Sequence, residues 1–252
     1  MTTAEKLFGE QSEQFGQLFL AMAEELKLPL QYIARQAELQ QLAEPSAADG
    51  AGNGAFLQDV QASADMTVQL LDSYLLSLRL ALEPAARLAV EPVSVSAVLY
   101  ETAKQLQTTA RQYGVTLDLH VQGRYEPVMA HRQALQSALV SMGYALIEAL
   151  PAAGIDRHKR HVRLATHRTK HGIVAGIYGD LDTLTPQLFT RARQLQGRAR
   201  QPLVGTLPGS GAGVFVADAL LAAMASRLRV GRFQRYPGFA VTLPASEQLQ
   251  FV

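Results

Sequence analysis

Two long stretches of this chain carry apolar residues at steps of three and four, and no other feature restricts the fold as strongly. In residues 12–43 the positions are Phe15, Leu18, Met22, Leu26, Leu30, Ile33 and Ala37. In residues 55–82 they are Leu57, Val60, Ala64, Thr67, Leu71, Leu75, Leu78 and Leu82. This spacing lays one narrow apolar stripe along a helix, the kind of seam that coiled coils use. Between the two stretches stands Glu44-Pro45-Ser46-Ala47-Ala48-Asp49-Gly50-Ala51-Gly52-Asn53-Gly54, rich in residues that break helices and favour turns. The pattern predicts two helices folded into an antiparallel hairpin. One hairpin cannot bury both seams. A second copy can, by completing a four-helix bundle, so a homodimer through residues 12–82 is expected.

Beyond Pro84 and Pro92 the texture changes. Helices are expected at 94–113, 131–149, 186–196 and 214–226. Val115-Thr116-Leu117-Asp118-Leu119-His120-Val121 alternates apolar and polar residues, the period of a half-buried strand. Strands at 161–167 and 172–178 flank a turn at Lys170-His171-Gly172, and two more close the chain near 227–233 and 238–243. Helices on one face of a mixed sheet make an α/β sandwich. The expected organisation is a helical hairpin over 1–84 and an α+β domain over 92–252.

The formal charge of +1 conceals an asymmetry. Residues 1–150 hold 9 Lys/Arg and 17 Asp/Glu, whereas 151–252 hold 14 Lys/Arg and 5 Asp/Glu. The halves either attract each other, solvate different faces, or present the basic half to an anion. There is no Cys among the 252 residues, which excludes disulfides, thiolate metal sites and Cys nucleophiles. No apolar run approaches the ~20 residues of a membrane span, and the N-terminus has no basic-then-apolar leader. A cytoplasmic setting is expected. His158, His161, His167 and His171 lack regular ligand spacing, so no metal site is expected. Basic stretches at 157–163 and 191–200 have no interleaved aromatics, so nucleic acid is not an expected partner.

Several segments together resemble the core of two-component sensor histidine kinases, over residues 15–244. Ala23-Glu24-Glu25-Leu26-Lys27-Leu28-Pro29-Leu30 is similar to the phosphoacceptor box. Leu70 to Leu82, followed by Val90-Glu91-Pro92-Val93, resembles the end of the dimerisation hairpin and its linker. Ala130 to Leu150 resembles the N box. Gly209-Ser210-Gly211-Ala212-Gly213-Val214 resembles the second glycine-rich box, and Tyr236 to Pro244 the terminal strand. The resemblance implies a dimeric four-helix bundle followed by a histidine kinase-like ATPase domain of the Bergerat type. It also implies docking of a response-regulator receiver domain on residues 19–33 and the second helix.

The departures from that family bear on function. The phosphoacceptor histidine falls at Glu24, and the first histidine of the chain is His120. A carboxylate is a poor attacking group and would give a labile acyl phosphate. The Asn that would ligate Mg²⁺ falls at Tyr144, with Val140 at the other usual position. The first glycine box is replaced by Gly179-Asp180-Leu181-Asp182, in which Asp180 is the candidate for reading the adenine amino group. In the second box, Gly209, Ser210, Gly211 and Gly213 are candidates for cradling phosphate at a helix start. Glycines there serve equally for close packing of the helix. The expectation is a degenerate, kinase-like docking platform without autokinase activity, with weak or no ATP binding and no metal. The alternatives are an ATP-binding or ATP-hydrolysing member of the family and a structural, anti-sigma-like oligomerisation module.

Overall fold

The structure, a computed structural model, describes residues 25–26, 29–33, 35, 50–82, 88–121, 123–195, 207 and 211–246. Glu25, Leu26, residues 29–33 and Arg35 are helical. The rest of the first predicted helix, with Glu24, lies outside the described residues. Five helices follow: α1 (Gly50–Leu82), α2 (Val95–Gln112), α3 (Arg132–Ala152), α4 (Pro186–Leu195) and α5 (Ala212–Ala223). The strands are β1 (Glu91–Val93), β2 (Thr116–Val121), β3 (Val128–Ala130), β4 (His161–Thr169), β5 (Gly172–Gly179), β6 (Leu228–Phe233) and β7 (Tyr236–Leu243).

Two expectations need correction. Helix α1 begins at Gly50 rather than 55, running through glycines that local preference places in a turn. Extending an existing helix adds one hydrogen bond per residue without a new nucleation cost, and that outweighs the weak propensity. The stretch around Pro92 is more than a linker. Glu91–Val93 forms β1, antiparallel to β3, as a separate two-stranded sheet. Three-residue strands carry too little periodicity to read from sequence.

The main sheet has the order β2-β4-β5-β7-β6, with β2 parallel to β4 and the other pairs antiparallel. One face of it is the core. Val162, Leu164, Ile173, Ala175, Ile177, Leu228, Phe239, Val241 and Leu243 are all buried there beneath the helices. The sheet period of two sends the alternate residues, Ala165, Tyr178 and Tyr236, to the opposite face. That face is partly covered by the β6–β7 turn. Phe233 sits 5.9 Å from both His120 and His167, and 5.5 Å from Tyr178. This is a mixed α+β fold with a five-stranded sheet.

Helix α1 packs against α2, α3 and α5. Met66, Leu70 and Tyr74 are fully or almost fully buried in that contact and belong to the common core. Ser63, Ser73 and Ser77 lie along the same stripe; Ser73 and Ser77 donate to the α1 carbonyls of Gln69 and Tyr74, both at 2.8 Å. Polar ties supplement it. Gln112 donates to Ser63 Oγ at 3.0 Å, and Gln69 to Gln105 at 2.8 Å. The seam read from the sequence points elsewhere. Leu71 and Leu75 remain 37% and 45% exposed, next to Val68 at 57%.

Candidate functional site

The second glycine box ends in helix α5. Gly211 is its N-cap, in the left-handed conformation at φ 63°, where a residue with a side chain is strained. Helices α2 and α3 are capped by their own Ser94 and His131 side chains. Gly211 has no side chain with which to do this, although the first N–H groups of a helix need acceptors. The acceptor comes from far away in sequence. Gly213 N–H donates to Glu25 Oε1 at 2.8 Å, in a contact buried from solvent. Glu25 itself is 0% exposed. A carboxylate at a helix N-terminus is favoured by the helix dipole and by the charge-assisted hydrogen bond, by up to ~2 kcal/mol when partly buried.

Gly213 does a second job. A Cβ added there would lie 2.7 Å from the backbone oxygen of Ser141, in the middle of α3. Backbone cannot yield as a flexible side chain does, so only glycine lets α5 approach α3 this closely. Gly213→Ala is therefore expected to lower Tm by roughly 2–12 °C, from an overpacking cost of about 1–3 kcal/mol in a chain of this size. Scanning calorimetry checks this; an unchanged Tm would mean that α5 can move away at no cost.

One turn further along α3 stands Tyr144, 2% exposed. Burial pushes its phenol far above the usual range, reinforced by Tyr113, by the charge of Glu148 and, less, by that of Glu25. Burial likewise raises Tyr113, against its interaction with Tyr144. Tyr144 is thus a neutral core side chain at operating pH. Phenols held this firmly protonated are poor ligands for a hard cation, which seeks charged or carbonyl oxygens. Val140 is 0% exposed, also in the core. Glu25, Gly213, Tyr144, Tyr113 and Glu148 thus form one continuous neighbourhood between α2, α3 and α5.

Asp180 is the other candidate among the described residues. It follows β5 in a bend and is half-buried. The loop after it is tacked down rather than open. Leu181 and Leu184 are both 2% exposed, and Leu181 N–H bonds Gly179 O at 2.9 Å in a tight turn. Asp180 contributes, after Tyr236, to raising the Arg235 guanidinium above its usual value. Gly209 and Ser210 lie outside the described residues, as do Arg198 and Arg200.

Arg193, in the basic stretch 191–200, is committed within the fold. Its guanidinium grips the Asp218 carboxylate with two nitrogens, Nε at 2.8 Å, and donates to Leu228 O at 2.7 Å. It also lies 4.4 Å over the Phe189 ring. The pair ties α4 to α5. In the other basic stretch, Arg160 donates to the carbonyls of Ile155 at 2.7 Å and Tyr113 at 3.0 Å, and Arg163 pairs with Asp118 at 3.4 Å. Among the described residues no cluster of His, Asp and Glu is arranged to hold a metal, and no helix is long and apolar enough to cross a membrane.

Sequence reasoning singled out the glycines, Asp180 and Tyr144, but missed Glu25 as a ligand of the glycine turn. The contact spans 188 residues, and no local pattern marks it. The missing N-cap side chain at Gly211 is the single signal that an acceptor had to come from elsewhere.

No protein-family model matches the sequence, and no curated protein matches it significantly. Solved structures do match. The Acinetobacter baumannii histidine kinase AdeS aligns with a TM-score of 0.50 at 13% identity, over 88% of this chain and 98% of that one. Full-length ShkA, solved in complex with AMPPNP, also aligns with a TM-score of 0.50, at 20% identity over 88% of this chain and 46% of that one. At such identities the likeness speaks for architecture. The order of elements, the five-stranded sheet and these matches agree that the chain has the fold of a histidine kinase catalytic region.

Proposed function

We propose that this chain is a signalling protein of histidine kinase type that has given up phosphoryl transfer and acts as a dimeric docking platform. The observation that supports this most is Tyr144. A metal-bridged nucleotide needs an oxygen ligand at that place, and the chain offers a buried, neutral phenol. The sequence adds Glu24 where the family places its phosphoacceptor. Around the site, leucines anchor the loop after β5 and Arg193 is held by Asp218. What remains available is surface. A receiver domain would dock on residues 19–33 and the second helix, in the manner the family implies, with Leu30 exposed at 56% within that range.

The second reading, an ATP-binding member of unusual chemistry, is favoured by the helix start at Gly211–Gly213, whose amides and dipole suit an anion.

Incubation with labelled ATP separates the two. No acid-labile, base-stable label is expected on the chain, and Glu24→His alone is not expected to restore any, because the metal ligand is missing too. Stoichiometric label on residues 12–82 would sink the proposal. Binding of purified receiver domains, measured by interferometry, then tests docking. Retention of at least one receiver domain, weakened tenfold or more by Leu30→Asp, is expected. Binding by none would leave the platform reading without a partner and would overturn it.

A further inference from the structure

The glycine turn and the N-terminal helical segment meet where Gly213 N–H donates to Glu25. Three features make this more than an incidental contact. The carboxylate is fully buried, so the segment must be seated for the bond to exist. The helix it caps has no side chain of its own to take that role, because its N-cap is Gly211. The turn is also closely packed on α3, because a Cβ at Gly213 would lie 2.7 Å from the Ser141 backbone oxygen.

We infer that Glu25 is a latch: its carboxylate fills the anion seat at the N-terminus of α5 and thereby holds the N-terminal segment onto the α+β domain. The inference rests on the reading above in one respect, that no nucleotide occupies this seat in the resting protein. An amide N–H that donates to Glu25 is not available to a phosphate oxygen. Docking of the segment and binding of an external anion at the turn are then mutually exclusive, and linkage requires each to weaken the other equally. The segment that is held includes residues 29–33, part of the surface proposed for receiver docking. Seating or release of Glu25 would therefore also set how that surface is presented.

Hydrogen exchange on the full-length chain tests the latch directly, without nucleotide. In Glu25→Gln, which keeps the volume but removes the charge, and in Glu25→Ala, the amides of 211–214 are expected to exchange at least tenfold faster than in the wild type. Amides of β5 should stay as protected as before, which certifies that the variants are folded. In Glu25→Ala, 10 mM pyrophosphate without Mg²⁺ is expected to restore protection at 211–214, with no effect on the wild type. Unchanged exchange at 211–214 in both folded variants would overturn the latch. So would pyrophosphate protecting the wild type as well as the variant. Mg²⁺-dependent ATP binding by the wild type would instead defeat the docking-platform reading, a separate measurement with a separate outcome.

Discussion

Calorimetric titration of the full chain with Mg²⁺-ATP is expected to show no binding tighter than about 100 μM, roughly −5.5 kcal/mol. The family's site relies on an aspartate for adenine, an oxygen ligand for the metal and a glycine-rich helix start for phosphate. Here Asp180 follows a strand in a loop pinned by Leu181 and Leu184. Tyr144 is buried and held protonated by its surroundings. Gly213 N–H is engaged by Glu25. Without a bridging cation the phosphates repel one another, and the nearby Arg193 is already paired with Asp218. Residual binding should be indifferent to Mg²⁺ and should fall steeply with salt, since it would rest on exposed charge. Micromolar affinity that disappears on removal of Mg²⁺ would overturn the docking-platform reading.

The second large effect concerns association. Full-length protein is expected to be a dimer by light scattering at tens of micromolar, and Leu71→Glu with Leu75→Glu to make it a monomer. Helix α1 shows two stripes. Met66, Leu70 and Tyr74 are consumed within the chain, whereas Val68, Leu71 and Leu75 are left outward at coiled-coil spacing. Burying a leucine is worth about 1.5–3 kcal/mol, and two copies bring four of them to the seam. Carboxylates in their place would be buried without partners. Association should weaken by three orders of magnitude or more, at about 1.4 kcal/mol per factor of ten. Because both side chains are exposed within one copy, the variant should keep its circular dichroism and most of its Tm. Leu70→Glu, by contrast, should unfold the chain. A wild type that is monomeric at these concentrations would remove the basis of the proposed dimer.

The two stripes also show where sequence reading succeeds and where it stops. Periodicity located every long element of the α+β region to within a few residues, because burial on one side of a helix or strand leaves a repeat in the sequence. It chose the seam 64, 71, 75, 78 and took it for the main apolar face of α1. It gave no hint that 66, 70 and 74 would be the face turned to the rest of the chain. Two apolar stripes on one helix are equivalent until a neighbour is known. At the candidate site the departures at Glu24 and Tyr144 were legible, since a residue type is a local fact. Its contacts were not. Glu25 reaching Gly213, Arg193 reaching Asp218 and Gly213 meeting Ser141 are long-range contacts between residues whose types are compatible with many partners.

Tyr144 has a bearing on what the fold could accept as well as on chemistry. Its ring is part of the core, at 2% exposure, between helices that are themselves locked together at Gly213 and Ser141. Replacing it with asparagine would delete an aromatic ring and leave a cavity in the core beside Tyr113 and Glu148. Truncating large core side chains costs about 3–5 kcal/mol, a large share of the 5–15 kcal/mol that keeps most domains folded. Any route to a metal ligand at this position therefore passes through a destabilised fold: the cost falls at the first substitution, before a metal could bind and offset it.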